Sequence, residues 1–177
     1  LAVHLDGARI WNAMTATDIE PSFFGEIADT ISVCFSKGLG APVGSMLLSS
    51  KEHIATARRY RKMWGGGMRQ VGLLAAAAEY GMEHHWPLMK EDHRRAREVA
   101  EVIAECSKLS VDLDSLQTNI LIFDVLEEDA TSALKKLEEQ GIIMIPFGPR
   151  TIRATFYFEI GDDEVATIKE VLKKLFD

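Results

Sequence analysis

No apolar run among the 177 residues approaches the ~20 positions that a bilayer-spanning helix requires, which excludes a helical membrane span. A basic segment leading into an apolar one, the pattern of a secretory signal, is not visible either. Cationic excess is missing: 20 Lys and Arg stand against 27 Asp and Glu, a net charge of −7. Such a surface repels phosphate backbones, so nonspecific nucleic-acid binding is disfavoured. Two cysteines, Cys34 and Cys106, are too few for a disulfide framework and suit a reducing cytoplasm. Internal repeats and low-complexity stretches are also lacking. What remains is an ordinary globular composition, 47% hydrophobic and 27% charged, with length for one domain or two small ones. The chain opens on Leu1-Ala2-Val3-His4-Leu5, which reads as a buried strand with no lead-in, as expected of a piece of a larger protein.

Short apolar runs alternate with loops in the first part. Leu1–Leu5 and Thr30–Phe35 read as strands, followed by Asp-Gly and Lys-Gly, and Val43–Leu48 is a third candidate. Lys51–Met63 reads as a helix with basic residues near its end. Gly65-Gly66-Gly67 interrupts it, and Gln70–Glu83 forms an alanine-rich helix suited to close packing. Pro87 marks a boundary between residues 1–87 and 88–177. Beyond it, Leu88–Leu109 is a long charged helix with Ala96, Val99, Val102, Ile103 and Cys106 on its apolar face. Strands at Asn119–Val125, Ile142–Pro146 and Thr151–Ile160, with helices at Ala130–Glu139 and Asp162–Phe176, make the remainder a small α/β domain.

The sharpest chemical signal is Ser36-Lys37-Gly38-Leu39-Gly40, directly after an apolar strand. Burial would depress the lysine's pKa, and a neutral amine is the form that condenses with carbonyls. Alone, such a pentapeptide is more often a solvated loop. Asp6-Gly7-Ala8-Arg9 stands at another strand end, where α/β sheets gather ligands. An aspartate there can pair with a protonated ring nitrogen and an arginine can hold a carboxylate; a simple exposed turn is the alternative. Together the two signals supply what a pyridoxal-phosphate enzyme needs, a Schiff-base lysine and an acidic partner for the pyridinium nitrogen. Arg61-Lys62-Met63-Trp64-Gly65-Gly66-Gly67-Met68-Arg69-Gln70 adds a basic, glycine-rich loop before a helix, where a phosphate could sit. Arg153 lies within a strand pattern that leaves its direction open.

The string His4-Leu5-Asp6-Gly7-Ala8-Arg9-Ile10-Trp11-Asn12-Ala13 resembles a hallmark of the low-specificity L-threonine aldolases, which are fold type I, aspartate-aminotransferase-like enzymes. Cys34-Phe35-Ser36-Lys37-Gly38-Leu39-Gly40-Ala41-Pro42-Val43-Gly44-Ser45 resembles that family's cofactor-lysine segment, and residues 61–70 its glycine-rich segment. The likeness continues through Thr118-Asn119 and Ile152-Arg153. It implies an α/β fold: part of the pyridoxal-phosphate-binding large domain over residues 1–87, then a small C-terminal α/β domain over 88–177. It implies pyridoxal 5'-phosphate as cofactor, with Lys37 as the covalent anchor and Asp6 on the ring nitrogen. Lys62 and Arg69 would lie near the phosphate, and Arg9 and Arg153 on the substrate carboxylate. No metal is implied.

The reaction implied is aldol cleavage of L-threonine or L-allo-threonine to glycine and acetaldehyde, in a cytoplasmic homo-oligomer, dimer or tetramer. A β-eliminating amino-acid lyase and a non-catalytic remnant are the other readings. The family's N-terminal part, with its phosphate-cradling loop and ring-stacking histidine, has no counterpart in these residues. Where family members carry a histidine shortly after the arginine, this chain reads Ala154-Thr155-Phe156-Tyr157. His4 suits packing or orientation, and His84, His85 and His93 are expected on the surface. With half a core and unpaired strand edges, the chain alone is expected to bind cofactor weakly and to cleave threonine poorly or not at all.

Overall fold

Two units, Leu1–Pro87 and Leu88–Asp177, make up the chain in a computed structural model that describes residues 1–177. The first contains β1 (His4–Gly7), α1 (Ile10–Thr17), α2 (Pro21–Ile27), β2 (Thr30–Cys34), β3 (Ser45–Ser49), α3 (Lys51–Met63) and α4 (Gly72–His84). β1 and β2 run parallel, with Asp6 opposite Ser32 and Gly7 opposite Val33. The intervening α1 and α2 make the crossover that parallel pairing demands. β3 returns antiparallel to β2, with Ser45 opposite Cys34. α3 begins where the Ser50 hydroxyl accepts the His53 amide, and it ends with Arg61 and Lys62 complementing the helix dipole.

Three sequence expectations shift here. The first strand starts at His4 rather than Leu1, and Leu1 and Val3 are exposed. Val3 instead ties the segment down, its carbonyl accepting the amides of Asp29 and Thr30. An edge strand with no outer neighbour gives the apolar residues no face to bury. α4 begins at Gly72 because Gln70, at φ +52°, sits in the left-handed region and cannot extend a helix backwards. Of its length only Ala78 and Gly81 are buried, so the alanines at 75 and 76 face solvent. Met46, Leu47 and Leu48 of β3 are also exposed, an apolar strand covered on neither face.

The second unit runs α5 (Met89–Glu105), β4 (Leu109–Ser110), β5 (Ile120–Val125), α6 (Ala130–Glu138), β6 (Ile145–Pro146), β7 (Thr151–Thr155) and α7 (Asp162–Phe176). Its sheet is antiparallel throughout, in the order β4-β5-β7-β6. Alternation along β5 sends Leu121, Phe123 and Val125 into one core with Ile152 and Ala154 of β7. Ala96, Val99 and Ile103 of α5 and Val165 and Leu172 of α7 complete it. The charged helix stops at Glu105, short of Leu109, because Cys106 turns extended and Leu109 is used as β4 opposite Val125. β6 is shorter than Ile142–Pro146: Gly141 adopts φ +81° and the Ile142 amide bonds back to Leu137, closing α6 instead. β7 ends at Thr155: the Phe156 amide still meets the Asn119 carbonyl in register, but the Phe156 carbonyl accepts the Asn119 side-chain amide instead of a backbone N–H. No helix is long and apolar enough to cross a membrane.

Candidate active site

Parallel pairing puts the carboxyl ends of β1 and β2 at the same sheet edge. Asp6 lies on β1 at that edge, opposite Ser32, and Lys37 follows three residues after β2 ends. A sheet edge of this kind is where α/β folds collect ligands. Gly7 fits there only as glycine: a Cβ would stand 2.7 Å from the Ser32 carbonyl oxygen. One Asp6 oxygen accepts the Ala8 amide at 3.1 Å, an Asx-type turn that leaves the other oxygen without a hydrogen bond. Arg9, half-buried, stands at the start of α1.

Lys37 sits in a tight turn closed by the Gly40 amide on the Lys37 carbonyl at 2.8 Å, with Gly40 at φ +69°. Its side chain is exposed and makes no hydrogen bond or ion pair. The sequence expectation of a buried amine is therefore not met. β2 itself is buried at Ile31 and Val33, but the chain leaves the sheet before reaching the lysine. Two ring donors bracket the turn. Trp11 of α1 donates from Nε1 to the Cys34 carbonyl at 2.9 Å, and His85 lies 2.8 Å through Nδ1 from the Leu39 carbonyl. Leu39 is 1% exposed. His85 is thus half-buried and engaged, not a surface residue, and His93 is half-buried too, its pKa lowered by that burial. His84 alone of the three is exposed, stacked on Tyr80. The only hint of His85 in the sequence is Gly81, one helical turn earlier, which marks a close approach. His4 holds the Thr30 hydroxyl at 2.7 Å, an orienting contact.

Lys62 lies in the last turn of α3 and Arg69 in the glycine-rich loop; both are exposed and neither side chain makes a hydrogen bond or ion pair. The structure does not bring them into contact with Lys37 or Asp6. In the second unit, Arg153 occupies β7 between Ile122 of β5 and Ile145 of β6, on the sheet face opposite the core. It opens onto a cavity of about 430 Å³ that Ile143, Thr155, Ile160 and Asp163 also line. Its Nε is buried without a hydrogen-bond partner. A buried guanidinium nitrogen with no acceptor is costly and is satisfied by an incoming anion.

These residues fit pyridoxal phosphate by donor chemistry. A primary amine and a carboxylate share one sheet edge, and a glycine beside them removes a Cβ from the backbone.

The profile of the beta-eliminating lyase family matches residues 1–126. The Arabidopsis thaliana protein named "Probable low-specificity L-threonine aldolase 2" is 38% identical over 179 residues, covering 99% of this chain and 50% of its own. The "Low specificity L-threonine aldolase" of Escherichia coli (strain K12) is 38% identical over 95% of this chain and 49% of its own. The chain therefore spans about half the length of these curated relatives. A solved structure of Leishmania major threonine aldolase superposes with a TM-score of 0.78 at 19% identity, covering 99% of this chain and 52% of that one.

Proposed function

Because the chain belongs to the beta-eliminating lyase family, we propose that it carries the lysine-bearing part of a pyridoxal-phosphate-dependent aldolase. Its reaction would cleave L-threonine or L-allo-threonine to glycine and acetaldehyde. The observation that supports this most is the shared sheet edge of Asp6 and Lys37, fixed by the parallel register of β1 and β2. Pyridoxal phosphate, when bound, supplies an electron sink for the pair left on Cα as the Cα–Cβ bond breaks.

Lys37 would hold the cofactor through its amine, and the Asp6 carboxylate would keep a proton on the ring nitrogen. Lys62 and Arg69 are cations for the phosphate. Arg9 and Arg153 would hold the substrate carboxylate, and the unpartnered Nε of Arg153 favours that role. Fixing the carboxylate at a bidentate guanidinium restricts rotation about Cα, which is how positioning lowers a barrier. A homo-oligomer, dimer or tetramer, is part of the same proposal. The exposed Trp64, Met68 and Leu73, together with the exposed Met46, Leu47 and Leu48 of β3, favour association with other chains.

The family's name keeps β-elimination as the second reading. Adding pyridoxal phosphate should give an absorbance band at the edge of the visible that Lys37→Ala abolishes. Whatever the rate, the products formed from threonine should be glycine and acetaldehyde; ammonia and a keto acid would assign elimination instead. No band with the unaltered chain, even at saturating cofactor, would sink both readings.

A further inference from the structure

Nothing on the Lys37 side chain fixes where its amine points, so its position is set through the backbone of the turn that carries it. That turn is held from both sides. Before Lys37, the last carbonyl of β2, at Cys34, receives the Trp11 indole N–H at 2.9 Å. After it, the Leu39 carbonyl is met by His85 Nδ1 at 2.8 Å. A carbonyl oxygen only accepts, so Nδ1 must carry the proton and the tautomer of His85 is fixed by the contact. One helical turn earlier, Gly81 lies so close that an added Cβ would stand 2.4 Å from the same Leu39 oxygen. The two brackets are joined. Trp86, next to His85 in sequence, packs edge-on against Trp11 with ring centroids 5.0 Å apart. Its indole donates to the Thr15 hydroxyl of α1 at 3.1 Å.

We propose that His85 and Trp11 are positioning residues for Lys37, ring donors that hold both ends of its turn so that the amine is presented at the sheet edge beside Asp6. The proposal rests on Lys37 being the cofactor lysine. Neither ring touches the reacting atoms. Removing one donor leaves a buried carbonyl unsatisfied, which raises the open population of the turn about tenfold. A displaced amine meets an aldehyde carbon correspondingly less often, since misplacement by about an ångström can cost up to ~100-fold.

Three variants of the full chain test this: His85→Leu, His85→Asn, whose amide can still donate, and Trp11→Phe, which keeps the ring but loses the N–H. Two readouts are independent of turnover. The first is amide hydrogen exchange at Gly40, whose N–H closes the turn. The second is labelling by pyridoxal phosphate. A lysine amine condenses with the aldehyde, losing water, and borohydride delivers hydride to the new C=N bond; mass spectrometry then compares Lys37 with the exposed Lys51.

His85→Leu should speed Gly40 exchange about tenfold and cut Lys37 labelling by a similar factor, with Lys51 unchanged. His85→Asn should restore both to within about twofold. Should His85→Leu fail to fold, Trp11→Phe carries the test with the same expected losses. Wild-type exchange and labelling in a folded His85→Leu or Trp11→Phe chain, alongside Lys37-selective labelling in the parent, would overturn the positioning role and leave the cofactor reading intact. A parent that labels Lys37 no better than Lys51 would instead overturn the cofactor reading, and the positioning role with it.

Discussion

Gly81→Ala should destabilise the first unit even though alanine is the better helix former. A Cβ at position 81 would lie 2.4 Å from the Leu39 carbonyl oxygen and 3.3 Å from both the Leu39 carbonyl carbon and Cβ. The nearest atom belongs to the backbone, so no flexible side chain can swing aside, and Leu39 itself is buried. Overpacking of this kind costs about 1–3 kcal/mol, and a backbone clash belongs at the upper end. Replacing glycine in a helix returns about 1 kcal/mol. The net is a loss of about 2 kcal/mol. Gly25→Ala is the control: it lies within α2 with no atom within 4 Å of the added Cβ. It should gain up to about 1 kcal/mol.

Tryptophan fluorescence isolates the effect, because Trp11, Trp64 and Trp86 are the chain's three tryptophans and all belong to the first unit. With a urea m-value near 1 kcal/mol/M for so small a unit, the midpoint should fall by about 2 M in Gly81→Ala and rise by up to about 1 M in Gly25→Ala. A Gly81→Ala midpoint at or above the parent's would refute the close approach of α4 to the lysine turn.

Two further expectations concern the second unit. Asp92 is 1% exposed with Oδ1 unbonded, and burial pushes its pKa up to about 6, with Arg95 opposing and Glu91 adding. Its neutral form is the one the fold favours, so its contribution is complete below about pH 4 and is lost as pH rises through about 6. That makes up to about 3 kcal/mol of pH-dependent stability. Asp92→Asn should flatten the fall in melting temperature over that window; parallel profiles for the two chains would show that Asp92 does not titrate there. Cys106 is buried and its thiol is raised to about 11, by burial first and then by Asp177, while Cys34 is only half-buried. A thiol reagent at neutral pH should modify Cys34 quickly and Cys106 only on unfolding, and equal rates would contradict that placement.

Periodicity was most readable where a helix has one wet and one dry face: Asp162–Phe176 matches α7 to the residue, and Ala96, Val99, Val102 and Ile103 of α5 are all buried. Lys51–Met63 also matches α3 to the residue, although that helix buries no side chain; its basic last turn marked it instead. Strand ends were harder because they are decided by neighbours rather than by the run itself. Leu1–Val3 has strand composition, yet only the Val3 backbone is tied down and both Leu1 and Val3 stay exposed. Leu109 is apolar enough to prolong α5, yet it is taken by β5. Gly141 was visible as a residue, but not the left-handed turn that shortens β6.

The site divides along the same line. Asp6 and Lys37 were legible because each follows an apolar run, and two strand ends joined by a crossover must share an edge. The burial of Lys37 was not legible: an apolar strand does not reveal that the chain leaves the sheet before the lysine, so the amine ends exposed. His85 went unread for the converse reason. In a polar stretch with His84 it has the composition of surface, and its burial comes from Leu39, 46 positions away along the chain. Only the missing side chain of Gly81 admits that contact. A lysine recognised from its own strand can thus owe its placement to residues that no local pattern marks. In this fold the exposed amine and the buried Leu39 of its turn are two sides of one arrangement: the backbone is fixed at Leu39 while the lysine side chain stays free to meet a ligand.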